Sequence, residues 1–213
     1  GYEWNTVLLA YELMDYLKAN PAVIPQNIKV TVIPVLNPDG LNKVVGTAGR
    51  FARADVSTSK DTVISGRFNA NTVDLSRNFD CEWQSKGQWM TETVSGGSKV
   101  FSEPESLAFK NYIEARNPTA VVVWYSSAGG VFSSSCNNGV VAPATKALTD
   151  TYAAASKYKA YASYDFYKTT GDMVNWLAKK NIPAISVLLT THQDTEWDKN
   201  LAGIKALLKY YAK

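Results

Sequence analysis

Apolar residues recur at helical spacing from residue 4 to residue 19. The period then changes, because residues 27–36 carry an almost continuous run of β-branched and aliphatic side chains, Ile-Lys-Val-Thr-Val-Ile-Pro-Val-Leu. A 3.6-residue stripe predicts a helix, and a short run apolar at nearly every position predicts a strand covered on both faces. Residues 46–71, rich in Gly, Ser, Thr and Asn, predict loop. Ser102 with Glu105 three residues on has the form of a capping box, so a helix is expected over 102–116. Further strands are expected at 120–125 and 184–189, and helices at 142–158, 171–180 and 195–211. Strands apolar on both faces and separated by helices predict one α/β domain over 1–213. Its architecture is a three-layer α/β/α sandwich around a twisted, mostly parallel mixed sheet, with binding loops at the strand ends.

Composition adds mainly exclusions. A chain of 213 residues, 46% apolar and 19% charged, has enough material for a sizeable core and is not of the disordered class. The formal charge of +3 is spread along the chain without a run of like charges, so no nucleic-acid partner is implied. No stretch of eighteen uninterrupted apolar residues predicts a membrane span. Cys81 and Cys136 are compatible with one disulfide or with two core thiols. The polar and aromatic composition leans toward an extracellular or cell-envelope protein.

The candidate chemistry lies in several separated motifs. Asn37-Pro38-Asp39-Gly40 has turn chemistry on its own account. Val73-Asp74-Leu75-Ser76-Arg77-Asn78-Phe79 places an arginine beside a serine. Val123-Trp124-Tyr125-Ser126-Ser127 and Ile185-Ser186-Val187-Leu188-Leu189 close two predicted strands, and Tyr167-Lys168-Thr169-Thr170-Gly171-Asp172 precedes a helix. In this order the motifs resemble those of the carboxypeptidase A-like zinc metallocarboxypeptidases, and the similarity runs over essentially the whole chain.

The resemblance implies a role for each position. Arg77 stands where the family grips the substrate's terminal carboxylate, a task suited to a planar fork of donors. Ser76 replaces the usual Asn beside it. Arg67 matches the arginine that polarises the scissile carbonyl, with Arg50 and Arg53 as competing assignments. Tyr167 matches the mobile tyrosine that closes over substrate. Asp172 and Val174 fall near the specificity pocket and give opposing cues, one for a cationic side chain and one for an apolar floor. Glu3, in Gly1-Tyr2-Glu3-Trp4, matches the zinc-binding glutamate of a His-x-x-Glu motif whose His would fall immediately before Gly1. The family's opening strands have no counterpart in these residues, so either an upstream segment has been removed or left out, or the sheet ends early.

Two further positions depart from the pattern. Tyr125 takes the place of the second zinc histidine, and Leu188 takes that of the glutamate that activates water. A site of this type needs two imidazoles, one carboxylate and an open water position. The single histidine, His192, reads as a hydrogen-bonded residue near a loop. A substitute site from Cys81, Cys136 and Glu3 is conceivable, since thiolates bind zinc. Three readings follow. The first is a non-catalytic carboxypeptidase-like protein, with no cofactor of its own, that binds peptides or peptidoglycan stems by their free carboxylate. The second is an active enzyme, if the chain is truncated, engineered or imperfectly assigned. The third is a structural subunit that self-associates through an exposed sheet edge.

Overall fold

The computed structural model describes residues 1–213 except residue 138. Helix α1 (Trp4–Ala19) turns Trp4, Val7, Ala10, Leu13 and Leu17 inward, as its spacing predicts. Asn37 is the cap of a helix, α2 (Pro38–Val45). Its side chain accepts from the Gly40 amide, Pro38 sits in the first turn, and Gly46 ends the helix in the left-handed region at φ 68°. The turn chemistry read at 37–40 is therefore that of a helix start. Within the expected loop at 46–71, Ser59 caps a short helix, α3 (Lys60–Ser65), by accepting from the Thr62 amide. A hairpin then follows, β1 (Lys86–Trp89) and β2 (Glu92–Ser95).

Helix α4 (Pro104–Arg116) starts two residues later than expected. Pro104 occupies its first position and Glu103 is its cap residue, while the Ser102 hydroxyl donates to the Glu103 carboxylate at 2.6 Å and does not cap the helix. Next come β3 (Val121–Ser126), β4 (Gly130–Ser133), α5 (Pro143–Ser156), β5 (Lys159–Tyr161), α6 (Met173–Lys179), β6 (Ala184–Leu189) and α7 (Trp197–Tyr211). The main sheet has the order β3-β6-β4-β5. β3 runs parallel to β6 and β4 parallel to β5, while β4 and β6 are antiparallel.

Side chains alternate across this sheet. Val121, Val123 and Ala184 pack with Phe109 and Ile113 of α4 and with Met173, Trp176 and Leu177 of α6. Val122, Trp124, Ile185 and Val187 pack on the other face with Leu148 and Tyr152 of α5 and Leu207 of α7. This period-2 division is what builds three layers. A third cluster joins Trp4 and Val7 of α1 to Leu41, Val44 and Val45 of α2. Cys81 and Cys136 are joined by a disulfide that ties the loop after Phe79 to the segment after β4.

Residues 27–36 do not form the buried strand their composition predicts. The segment is extended but has no ladder partner among the described residues. Together with β3 it lines a cavity of about 820 Å³. β-branched residues favour extended backbone, but a strand requires a partner at hydrogen-bonding distance. The Tyr112 hydroxyl, donating to Thr31 Oγ1 at 2.9 Å, tethers the segment to α4.

Candidate functional site

The C-terminal ends of β3 and β6 bring two of the motif positions together, because Tyr125 is the registered partner of Leu188 in the parallel ladder. A neutral phenol and a hydrocarbon thus sit side by side. The Tyr125 hydroxyl is buried and has no hydrogen-bond partner among the described residues. Burial first, then the nearby carboxylates of Asp172 and Glu3, push its ionisation well above the usual phenol range. Glu3 lies just before α1, half-buried as a residue and with its carboxyl enclosed. Desolvation pushes that carboxyl up to about 7, with Arg67 opposing the shift.

The loop containing the Leu75–Arg77 turn supplies the cations. The Asp74 side chain accepts from the Ser76 amide and hydroxyl, and through Oδ2 from Nε and Nη2 of Arg67 at 2.9 and 2.6 Å. Arg67 also lies 4.5 Å over the Trp89 ring. Its charge is therefore compensated, and Ser76 is committed to Asp74.

Arg77 is 2% exposed and is held differently. Nε and Nη2 donate to the Gln88 carbonyl at 2.9 and 2.8 Å, and Nη1 donates to the Ser76 carbonyl at 2.7 Å. A guanidinium has five N–H donors, so two remain. No carboxylate among the described residues pairs with it. Two glycines give it room. A Cβ at Gly87 of β1 would stand 2.9 Å from Arg77 Cδ, and one at Gly171, where φ is +66°, would stand 2.2 Å from the Arg77 carbonyl oxygen. Backbone approaches this close exclude side chains.

A cavity of about 860 Å³ collects Glu3, Arg67, Arg77, Tyr125, Tyr167 and Leu188 on its wall. The Tyr167 ring lies 5.9 Å from the Arg77 guanidinium carbon and 5.3 Å from the ring of Tyr164. Asp172 and Val174 also line this cavity, so both specificity cues belong to it. Asp172 accepts from the Asn175 amide at 3.0 Å as the cap of α6, and burial pushes its carboxyl up. It is already employed in holding the helix, whereas Val174 is 4% exposed and apolar. Arg50 pairs with Asp15 at the surface and Arg53 donates to the Gln193 carbonyl. Neither lines the cavity, which leaves Arg67 in it.

His192 is in the cavity as well, which its sequence context does not reveal. Its Nδ1 lies 2.8 Å from Ser126 Oγ, a partner 66 residues away in the chain. Only the pairing of β3 with β6 brings these two together. The expectation of a hydrogen-bonded histidine near a loop holds, and its location is the wall of this cavity.

The sequence profile described as zinc carboxypeptidase matches residues 1–199. Solved structures with a similar fold include the murein-tripeptide amidase MpaA from Escherichia coli O157, at 23% identity and TM-score 0.58. That match covers 84% of this chain and 67% of the amidase. Carboxypeptidase A from Helicoverpa armigera matches at 19% identity and TM-score 0.65, over 99% of this chain and 57% of that one. Bovine thrombin-activatable fibrinolysis inhibitor, in complex with tick carboxypeptidase inhibitor, matches at 14% identity and TM-score 0.70, over 99% and 77%. Zinc is typical of the family, but the side chains here do not fit it. Glu3 shares the cavity wall with one imidazole, His192, but Tyr125 and Leu188 supply neither an imidazole nor a carboxylate, Cys81 and Cys136 are committed to each other, and no cluster of three His, Cys, Asp or Glu residues is found among the described residues. By its fold and by the profile match over 199 residues, this chain belongs to the zinc carboxypeptidase family.

Proposed function

We propose that this protein binds peptides by their free C-terminal carboxylate, cell-wall stem peptides included, and does not hydrolyse them. The observation that carries this reading is Arg77, a buried guanidinium on the cavity wall with two N–H groups uncommitted and no ion pair among the described residues, Asp172 being near enough to feel its charge but employed as the cap of α6. Carbonyl oxygens lower the cost of burying that charge, and an incoming carboxylate completes the compensation with charge-assisted hydrogen bonds. The unpartnered Tyr125 hydroxyl offers a donor to a ligand carbonyl, and Arg67 sits in the same cavity. Tyr167, on the Arg77 side, covers the bound end. Hydrolysis lacks its two sources of rate. Leu188 has no atom that can accept a proton from water, and Tyr125 offers a neutral phenol where the family has a zinc histidine. The neighbours named as a murein-tripeptide amidase and a carboxypeptidase add support for a peptide ligand. The disulfide supports an extracellular or cell-envelope setting.

Calorimetric titration with an N-blocked peptide, as its free acid and as its C-terminal amide, tests this reading without altering the protein. The free acid is expected to bind about 10- to 100-fold more tightly, the range of one or two charge-assisted hydrogen bonds. Equal affinities overturn it. Self-association is a second reading, favoured by the outer edge of β3, which has no ladder partner among the described residues. It predicts a dimer or larger species by light scattering. A monomer across the accessible concentration range removes it.

A further inference from the structure

Ser126 and His192 have the look of a nucleophile and its base, and a neighbouring amide rules that out. Asn5, on α1, is fully buried. Its Nδ2 donates to the Thr191 carbonyl at 2.8 Å and to the Asp194 carbonyl at 2.9 Å. Both amide protons are thereby used, and the opposite orientation of the amide would set Oδ1 against two carbonyl oxygens. Asn5 Oδ1 must therefore face Ser126 Oγ, 3.0 Å away, as an acceptor. A hydroxyl has one proton, and Ser126 gives it to Asn5. The 2.8 Å contact between Ser126 Oγ and His192 Nδ1 then has one consistent assignment, with Nδ1–H donating to the hydroxyl oxygen. Ser126 has no proton to pass to the ring, so the pair is not a nucleophilic dyad.

The consequence falls on the far side of the imidazole. With the proton on Nδ1, the lone pair is on Nε2, and no described residue bonds that nitrogen. The Tyr2 and His192 rings pack edge to face at a centroid distance of 4.6 Å, which puts an aromatic wall against the imidazole. We propose that His192 Nε2 is a preset hydrogen-bond acceptor of the cavity that takes a backbone N–H of the bound peptide, with the Asn5–Ser126 relay as its positioning device. This rests on the peptide-binding reading above for the identity of the ligand, but not for the state of the ring. Burial lowers the pKa of His192 from its ordinary value, which keeps the ring neutral at neutral pH and the lone pair available. The cavity then offers a cation for the ligand's carboxylate, a phenol for a carbonyl, and an acceptor for an amide N–H.

The test is simplified by the chain's having one histidine. Long-range ¹H–¹⁵N NMR of the ligand-free protein at pH 7.5 is expected to show a protonated, pyrrole-type Nδ1 and a pyridine-type Nε2. Ser126→Ala, which keeps the packing and deletes the relay, is expected to move the population toward the Nε2–H form. An Nε2–H ring in the unmodified protein overturns the proposal whether or not any peptide binds. The second arm compares a blocked peptide with its depsipeptide, in which an ester oxygen replaces the N–H of the C-terminal residue. The native protein is expected to bind the depsipeptide about tenfold more weakly, the loss of one hydrogen bond to a buried acceptor, and His192→Phe is expected to bind the two equally. An equal loss in both proteins overturns the role of His192 alone. If neither peptide binds the native protein, the peptide-binding reading fails, and so does the ligand class assigned here.

Discussion

Arg77 is a buried cation stabilised by backbone carbonyls, while Arg67, ten residues earlier, is neutralised by Asp74. The difference in partners separates an arginine free to meet an anion from one already satisfied. Glu3 provides a pH test of the same interior. Its carboxyl ionises near pH 4.5 in an open chain and is pushed up to about 7 in the folded protein. Between those values the native state holds the proton and the unfolded state does not, so stability falls as pH rises through that window. Glu3→Gln is expected to raise stability at pH 8 by about 1–3 kcal/mol and to leave it nearly unchanged at pH 4, measured by urea denaturation. Parallel curves for the two proteins at all pH values would refute the burial argument. Most of these residues were legible in the sequence, because Arg77, Ser76, Tyr125 and Leu188 each sit inside a motif that fixes their place. The Ser126–His192 contact was not, since 66 residues separate its members and only strand pairing joins them.

At the scale of elements, the helices α1, α5, α6 and α7 and the strands β3 and β6 follow the hydrophobic periodicity closely. The failures have specific causes. Residues 27–36 carry the composition of a strand, but composition cannot report whether a partner lies within hydrogen-bonding reach. Asn37 and Ser59 are helix caps, and side chains that cap helices also make turns, so α2 and α3 were read as turn and loop. The β1–β2 hairpin is short and mostly exposed, and its period-2 signal is correspondingly weak. The disulfide is an element-level constraint that the sequence left open. It closes a 55-residue separation between the Arg77 loop and the end of β4. Replacing both cysteines with alanine is expected to cost about 2–4 kcal/mol, mainly by freeing the unfolded chain, with the loss read from thermal or urea unfolding. An unchanged midpoint would mean that the loop is fixed by its packing alone.

The molecule as a whole has the carboxypeptidase fold, and the side chains at positions 125 and 188 are a phenol and a hydrocarbon. A fold positions residues and does not specify what they do. The parallel register pairs position 125 with position 188, the β1–β2 hairpin holds Arg77, and the cavity measures about 860 Å³. What the positions contain is a phenol without a partner and a leucine without a proton acceptor. No helix among the described residues is long and apolar enough to cross a membrane. The central claim is that this site grips a peptide's end without cutting it. The most direct measurement is release of the C-terminal residue from an N-blocked dipeptide in the presence of excess zinc. No release above the uncatalysed background is the predicted result, and zinc-dependent turnover would contradict the account.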